Sequence, residues 1–381
     1  MDRRRADGED PLTIAVFAPY DLAVPGGVGS HIRAQARALR TLGHRVRIYG
    51  PASAPLSDGE IALSGSFTVN FSGTASGAAF DPRVVSRTKD VFARERFDIV
   101  HVHEPLMPLL PWSAVWYANA PVVATFHVHR EQGHPFYPVA RPLLNRIMRR
   151  IRVRIAVSPA ALETVSRFFP GEYETIPNGI ELARFRTERP RPTQIPRGPA
   201  VVCVGRLEPR KGVATLVDAM ATVQGQIPDA SLVLVGSGPD AAALAEQSRR
   251  LAVRTVFVAN VSDDEVAAFY QHADVVCAPA LGGESFGIVL IEALAAGKPV
   301  VASRIDGYAS AVGTSSAVRL VPPGNAVALA AQLVEVLEDR RMTWRAEATR
   351  LAAVYDWDRI AERLAAVYER TSHAARRTMQ P

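Results

Sequence analysis

The chain has 381 residues, with 44 basic and 38 acidic side chains and a formal net charge of +6. This length exceeds the size at which a single hydrophobic core usually stops growing, so two domains are expected. Hydrophobic residues make up 48% and charged residues 22%, a globular balance that excludes a long disordered region. The sequence shows neither a signal-peptide core nor an apolar run long enough to cross a bilayer. Cys203 and Cys277 lie in apolar runs, which excludes a disulfide framework and favours a cytoplasmic protein.

Short apolar runs alternate with helical patterns along the first half of the chain. This alternation is typical of a parallel α/β domain, in which each buried strand is followed by a helix. The runs are Thr13–Pro19, Arg45–Gly50, Phe97–His103, Pro121–His127 and Val153–Ser158.

The same alternation resumes after a proline-rich stretch at residues 186–198, which predicts a linker of restricted flexibility. The later runs are Ala200–Val204, Ser231–Val235, Thr255–Val258, Asp274–Ala278 and Val300–Ser303. We therefore predict an α/β protein with two facing Rossmann-like domains, residues 1–185 and 199–357, followed by a helix and tail at 358–381. Ligands bind outside the carboxyl ends of parallel strands, so we expect the active site in a cleft between the domains.

The strongest motif is GGESFG at residues 282–287, which leaves a predicted strand and enters a helix that carries Glu292. Glycines let backbone amides approach an anion, and the N-terminus of a helix favours negative charge. An ordinary helix start would explain the glycines and Ser285. It would not explain the Glu284 carboxylate beside a turn suited to an anion.

A second motif is GRLEPRKG at residues 205–212, directly after the first strand of the second domain. Arg206 and Lys211 could neutralise a diphosphate leaving group, whose negative charge grows as the glycosidic bond breaks. Basic loop residues are often merely solvated, but the carboxyl end of a strand is where ligands bind. Chemistry of this kind needs no metal ion.

In the first domain, Tyr20 and the glycine turn PGGVG at residues 25–29 connect the first strand to a helix. Glycines there suit a close approach of the backbone to a phosphate or a sugar. Any tight strand-to-helix turn also favours glycine, so both interpretations stay open.

These three motifs resemble those of the family 4 glycosyltransferases, and the resemblance covers nearly the whole chain. Smaller matches are IPNG at residues 176–179 and VGSGP at residues 235–239. The start of the chain, ATFH at residues 124–127 and the GGESFG motif are most similar to bacterial phosphatidylinositol mannosyltransferases. The resemblance implies a GT-B fold, whose last helix crosses back to the first domain.

The resemblance also implies the reaction. A sugar, best matched by mannose from GDP-mannose, would pass with retention of configuration to a lipid-linked acceptor such as phosphatidylinositol. No metal and no cofactor is implied beside the nucleotide sugar. A UDP-sugar-dependent enzyme that acts on a soluble acceptor is the alternative within this class.

Individual roles follow from the resemblance in the same way. Arg206 and Lys211 would hold the diphosphate, Glu284 would meet the sugar hydroxyls, and Glu292 would bind the ribose. His127 would sit by the sugar and the attacking hydroxyl, and Tyr20 would join it at the acceptor. Catalysis is assigned to His127, Glu284, Arg206 and Lys211. The implied donor-binding residues are Gly26, Gly27, Arg206, Lys211, Glu284, Ser285, Phe286, Gly287 and Glu292.

A hypothesis from another class rests on four histidines, His101, His103, His127 and His129. Residues two apart on a strand face the same side, so these imidazoles could bind zinc in a hydrolase. The phosphate-binding cations would then have no role.

A nicotinamide oxidoreductase is a third hypothesis, because residues 236–241 nearly match the dinucleotide fingerprint. The next predicted strand, however, runs into Ala259 and Asn260 rather than an acidic residue that could hold a ribose hydroxyl.

The segment Arg141–Arg154 contains six arginines and no acid, and it predicts a basic amphipathic helix. Its polar face would carry Arg146, Arg149 and Arg150. The apolar face would hold Leu143, Leu144, Ile147, Met148 and Ile151. Such a helix either binds an anionic lipid surface at the inner face of the cell membrane or packs in the core. No aromatic residues interleave with the arginines, so nucleic acid is not expected as a partner. The sequence makes no prediction of the oligomeric state.

Overall fold

The computed structural model describes residues 10–24, 26–65, 67–71, 74–78, 81–130, 136–339 and 343–379. The chain forms two compact units, one of Met1–Gly179 with Trp357–Pro381 and the other of Ile180–Asp356. Among the described residues, no helix combines the length and the apolar character that crossing a membrane requires.

The first unit contains a parallel sheet of seven strands and a separate antiparallel hairpin. The strands are β1 (Thr13–Phe17), β2 (Arg45–Pro51), β3 (Glu60–Ser64), β4 (Phe67–Phe71), β5 (Thr74–Ala78), β6 (Ile99–His103), β7 (Val122–Phe126), β8 (Ile151–Ala156) and β9 (Glu174–Thr175). The sheet has the order β3-β2-β1-β6-β7-β8-β9, and β4 pairs with β5.

Helices cover both faces of this sheet, so its central strands are buried on both sides. The helices are α1 (Gly27–Thr41), α2 (Arg83–Arg94), α3 (Leu110–Tyr117), α4 (Phe136–Met148) and α5 (Pro159–Ser166). Successive β1 side chains point to opposite faces. Phe17 stacks on Tyr49 with ring centroids 5.1 Å apart, whereas Val16 joins the core under α1.

The second unit is a parallel sheet of six strands between helices. The helices are α6 (Leu182–Arg186), α7 (Val213–Gln226), α8 (Ala241–Arg250), α9 (Asp263–Gln271), α10 (Ile288–Ala295), α11 (Asp306–Val312), α12 (Ala326–Glu338) and α13 (Arg345–Ala353). The strands are β10 (Ala200–Val204), β11 (Ser231–Val235), β12 (Thr255–Val258), β13 (Val275–Ala278), β14 (Val300–Ser303) and β15 (Val318–Val321). Their order is β12-β11-β10-β13-β14-β15.

The last helix, α14 (Trp357–Met379), belongs to the first unit and packs against α1. Trp357 is 4% exposed, and a Cβ on Gly179 would lie 2.5 Å from its ring, so only glycine leaves room for the indole. The chain thus leaves the first unit at Gly179 and returns at Trp357. The proline-rich stretch at 186–198 lies inside the second unit, where Ile195 is buried.

The basic segment does not form the predicted continuous helix. Helix α4 ends at Met148, and β8 begins at Ile151 and pairs in parallel with β7. Alternating β-branched residues such as Ile151 and Val153 favour a strand over a continued helix. Four of the five residues assigned to the apolar face, Leu144, Ile147, Met148 and Ile151, are buried in the core. Leu143 remains exposed at 41%.

Candidate active site

The strand order of the second unit places β10 beside β13 at the point where the connections change direction. From β10 the chain runs outward to β11, and from β13 it runs outward to β14 on the other side. Ligands of doubly wound sheets bind at this switch point, outside the carboxyl ends of the strands. The loops at 205–212 and 279–287, which hold the two strongest motifs, both emerge there.

Close backbone contact joins these two loops. The Leu281 amide donates a hydrogen bond to the Arg210 carbonyl at 2.8 Å. Gly212 has φ +64°, and a Cβ there would lie 2.1 Å from the Pro279 carbonyl oxygen. Only glycine fits that approach, so Gly212 lets the 3₁₀ turn Pro209–Lys211 lie against the loop after β13.

The Glu284 carboxylate is the centre of the charged side chains at this crevice. Its Oε1 atom accepts from Arg210 Nη1 at 2.5 Å and lies 2.6 Å from Lys211 Nζ. The side chains of Glu284 and Lys211 are 15% and 19% exposed, so the pairs are only partly screened by water. Two predicted site residues from distant parts of the sequence are thus in direct contact.

Sequence reasoning missed Glu208 as a member of this cluster. Its side chain is 1% exposed and lies 3.3 Å from Arg206 Nε and 2.7 Å from Arg210 Nη2. A buried carboxylate needs cationic partners, and here it holds both arginines on one loop. Arg206 is itself 44% exposed, which leaves it accessible to an anion. The sequence signal that could have identified Glu208 is an acidic residue among three basic residues in the segment 205–212.

The glycines of the near-dinucleotide fingerprint support the cation loop. A Cβ on Gly236 would lie 2.0 Å from the Gly205 carbonyl oxygen, and one on Gly238 would lie 2.2 Å from the Leu207 carbonyl oxygen. The Leu207 amide also donates to the Ser237 carbonyl at 2.9 Å. Close packing between two loops therefore accounts for the small residues that motivated the oxidoreductase hypothesis.

Helix α10 carries the remaining carboxylate of the predicted site. Its N-cap is Gly287, whose φ is +86° and where a Cβ would lie 2.4 Å from the Tyr308 ring. Glu292 Oε2 accepts from the Tyr270 hydroxyl at 2.9 Å. Burial and, to a lesser extent, the charge of Asp263 raise the pKa of Glu292 to about 7, against the opposing effects of Tyr270 and Arg184.

Ser285 and Phe286 occupy the turn between Glu284 and α10. Phe286 is 4% exposed, and its ring centroid lies 5.3 Å from that of Tyr355. Its side chain belongs to the core, so only its backbone is available to a ligand. A Cβ on Gly307 would lie 1.9 Å from the Glu284 carbonyl oxygen, so α11 packs tightly beneath the turn.

In the first unit the switch point lies between β1 and β6. The glycine turn follows β1, and Gly26 and Gly27 are exposed at the start of α1, where a Cβ would meet nothing within 4 Å. Pro25 of the motif lies outside the described residues. Tyr20 precedes the turn, and burial together with the charge of Glu104 raises its pKa above the ordinary value.

Glu104 fixes the backbone at His127. The Glu104 carboxylate accepts from the His127 amide at 2.5 Å and from the Val128 amide at 2.9 Å, and it is 3% exposed. Its φ of +48° is uncommon for a residue other than glycine. Sequence reasoning missed this role, because nothing local distinguishes Glu104 from a solvated acid.

The His127 ring lies in a buried group of imidazoles. His127 Nε2 is 2.8 Å from His103 Nδ1, and the His31 ring centroid is 5.0 Å from that of His127. Burial, and then the neighbouring rings, lower the pKa of His103 and of His127 well below the ordinary value. Burial likewise lowers the pKa of His31 to about 4. These rings are therefore neutral near neutral pH.

The four histidines of the zinc-hydrolase hypothesis do not form one cluster. His101 contacts the Tyr368 hydroxyl and Thr125 Oγ1, and His129 Nδ1 lies 3.0 Å from the Ala160 carbonyl oxygen. Among the described residues, the group close enough to share a metal ion is His31, His103 and His127. His31 comes from α1, which the strand spacing of the other four histidines did not indicate.

Both halves of the chain match family models of glycosyltransferases. Residues 25–184 match Glycosyltransferase Family 4, and residues 185–354 match Glycosyl transferases group 1. A phosphatidyl-myo-inositol mannosyltransferase of Mycolicibacterium smegmatis is 37% identical over 95% of each chain. The protein of that name from Mycobacterium tuberculosis is 37% identical over 92% of this chain and 94% of its own.

Solved structures with this fold include Anabaena HepE in complex with UDP and glucose, with a TM-score of 0.76 and 21% identity, covering 94% of this chain and 99% of that one. Sucrose-phosphate synthase from Thermosynechococcus elongatus has a TM-score of 0.73 and 25% identity. That match covers 95% of this chain and 100% of the other. These matches confirm the predicted pair of Rossmann-like parallel-sheet domains. The chain therefore belongs to the family 4 glycosyltransferases and is an enzyme that transfers sugars.

Proposed function

We propose that this enzyme transfers mannose from GDP-mannose to a phosphatidylinositol-type lipid at the inner face of the cell membrane, with retention of configuration and without a metal. The named activity of relatives that are 37% identical along nearly their whole length supports the acceptor and the sugar. The observation that carries the chemistry is the cluster of Arg206, Arg210 and Lys211 with Glu284 at the switch point of the second unit.

The donor diphosphate binds Arg206 and Lys211 in this proposal. Lys211 contacts Glu284 in the described structure, and a diphosphate would compete with that carboxylate for the cation. Glu284, released from part of its pairing, then accepts hydrogen bonds from hydroxyls of the transferred sugar. Positive charge fixed beside the phosphate stabilises the leaving group more in the transition state than in the ground state.

The rest of the donor binds to backbone groups and to Glu292. The start of α10 offers amides beside Ser285 and Gly287, and ionised Glu292 accepts from ribose hydroxyls. In the first unit, Gly26 and Gly27 are exposed, with open space where a side chain would lie, which would let a phosphate approach the first amides of α1.

The acceptor side is assigned to Tyr20 and His127. A neutral His127 can donate one hydrogen bond and accept another, and Glu104 holds its backbone in place. The acceptor oxygen forms a bond to the anomeric carbon on the face from which the phosphate leaves. The carbon–phosphate oxygen bond breaks, and the acceptor proton passes to the leaving phosphate. The nucleotide sugar is a substrate, and no cofactor takes part.

A mixed basic and apolar surface on α3 and α4 supports a lipid-bound acceptor. Val139 is 85% exposed, Leu143 41% and Trp116 43%. Arg146 and Arg149 are exposed beside them, and the Arg150 guanidinium lies 4.1 Å from the centre of the Trp116 ring. Exposed apolar side chains next to arginines are typical of proteins that bind an anionic membrane surface.

A donor and acceptor screen tests the proposed function. Purified enzyme is incubated with GDP-mannose, UDP-glucose or UDP-N-acetylglucosamine, each with phosphatidylinositol vesicles or with free inositol, and products are identified by mass spectrometry. We expect mannosylated lipid from GDP-mannose. Transfer from a UDP-sugar to a soluble acceptor, without lipid product, would replace this proposal by the alternative within the class.

A further inference from the structure

We propose that His31, His103 and His127 form a site for a divalent transition-metal ion such as Zn²⁺, and that an ion bound there blocks sugar transfer. A nitrogen of each ring lies within 4.8 Å of a nitrogen of each of the others. The three residues are 8%, 0% and 7% exposed. Three imidazoles with one open position are a common ligand set for zinc.

Two unpartnered nitrogens point to a ligand. Among the residues that the structure describes, His31 Nδ1 and His103 Nε2 are buried and have no hydrogen-bond partner. Nearly all buried polar atoms in proteins have a partner, so two unsatisfied nitrogens in one cluster call for an explanation. Neutral imidazole is the form that coordinates a metal.

The surrounding packing holds the three rings near one another. His31 comes from α1, His103 ends β6, and His127 follows β7. His101 stacks on His103 with ring centroids 4.4 Å apart, and the ring centroid of Trp357 lies 5.0 Å from that of His31.

Coordination requires a modest contraction of the cluster. Ligand atoms about 2.0–2.1 Å from a tetrahedral ion are about 3.3 Å apart. The three ring nitrogens all lie within 4.8 Å of one another, so any pair that is wider than about 3.3 Å must move closer. Glu104, which accepts from the His127 amide, helps to hold the backbone of that ligand in place.

The inhibitory effect rests on the proposed function, in which His127 lies beside the sugar and the acceptor. An ion that takes one nitrogen of His127 removes a hydrogen-bonding position from that ring and adds charge where a neutral ring is needed. Metal binding itself does not depend on that assignment, so binding and activity are measured separately.

The binding experiment uses the full-length protein after treatment with a chelator. Co²⁺ is titrated while the visible absorption of tetrahedral cobalt is recorded, and Zn²⁺ affinity is measured against a chromogenic chelator. We expect one equivalent in the wild type. His31→Phe keeps an aromatic ring against Trp357 but removes one ligand, and it should weaken binding by about tenfold or more.

Two further variants make the result interpretable. His103→Gln removes a second ligand from a different element and should weaken binding similarly, whereas His373→Phe, at an exposed position of α14, should bind like the wild type. Absence of a tetrahedral cobalt spectrum in the wild type, or wild-type affinity in both ligand variants, would overturn the site.

The activity experiment compares metal-free and Zn²⁺-saturated enzyme. We expect zinc to suppress transfer and a chelator to restore it, with weaker inhibition in His31→Phe. Full activity with zinc bound would refute the inhibition and the placement of His127, while the cobalt spectrum would still support the site. Conversely, failure to transfer mannose under any condition would count against the proposed function without affecting the metal titration.

Discussion

At the scale of single residues, the cations of the loop after β10 dominate the expected chemistry. Arg206→Ala or Lys211→Ala should each lower turnover by about two orders of magnitude, because each removes charge that stabilises the departing diphosphate. The measurement is steady-state kinetics with circular dichroism as a check of folding. Arg249→Ala serves as the control, since that side chain is 73% exposed on α8. Near-normal turnover in both loop variants would remove the diphosphate role.

The Glu292 carboxyl group makes the stability of the protein depend on pH. Its pKa is about 7 in the folded protein against an ordinary value of 4.5. Between these values the folded protein keeps a proton that the unfolded chain has lost, so this group lowers stability progressively as pH rises through the interval. Thermal melts between about pH 5 and pH 8 should therefore show Glu292→Gln gaining stability relative to wild type as pH rises. A constant difference across that range would contradict the shifted pKa.

The two carboxylates should also differ in catalysis. Glu284→Gln is expected to lower turnover more than Glu292→Gln, because in the proposed function Glu284 meets the reacting sugar and Glu292 only the ribose. GDP binding, measured by calorimetry, should instead weaken more in Glu292→Gln. The reverse order in both measurements would exchange the two assignments.

At the scale of elements, the 3₁₀ turn Pro209–Lys211 and helix α7 depend on Gly212. Gly212→Ala should destabilise the second unit by more than the 1–2 kcal/mol typical of a left-handed alanine, because the new Cβ also meets the Pro279 carbonyl. Gly225→Ala in α7 is the matched control. A Cβ there meets nothing within 4 Å, so stability should rise by about 0.5–1 kcal/mol. Denaturant unfolding of both variants measures the contrast, and equal effects would contradict it.

Helix α4 and the turn after it carry the proposed membrane contact. Replacing Arg146, Arg149 and Arg150 by glutamine should weaken binding to anionic vesicles about a hundredfold, because each cation near the surface contributes about 1 kcal/mol. Flotation with and without anionic lipid, at low and high salt, measures it.

A second triple variant controls for the loss of net charge. Arg249, Arg250 and Arg350 are exposed residues of the second unit, and their replacement by glutamine should leave flotation unchanged. If the wild type does not float with anionic vesicles at low salt, the membrane contact is refuted.

At the scale of the whole molecule, the proposed function predicts a reaction that retains the anomeric configuration of the sugar and needs no metal. Proton NMR of the first-formed product should show the anomeric configuration of the donor, because the arrangement of Glu284 and Glu292 resembles that of retaining enzymes. Activity should also survive a chelator, because the loop cations carry out the charge neutralisation. An inverted product or a strict requirement for manganese would each contradict this assignment.

The sequence by itself determined the α/β class, the ten predicted strands and the loops that bear the site. These features are local, because a buried strand between glycine or proline turns can be recognised from its own residues. Strands β3, β4, β5, β9 and β15 were missed, of which β4 and β5 form the separate hairpin. β3 and β15 lie at sheet edges, where partial exposure weakens the apolar pattern, and β9 has only two residues.

Tertiary structure alone decided which side chains meet. Arg210 and Glu284 are 74 residues apart in sequence yet form an ion pair, because β10 and β13 are adjacent in the sheet. His31 joins His103 and His127 because packing brings the start of α1 next to the ends of β6 and β7. The basic helix ended at Met148 because the next residues pair with β7. Such contacts depend on sheet order and register, which arise from packing of the whole unit and leave no periodic signal in the chain.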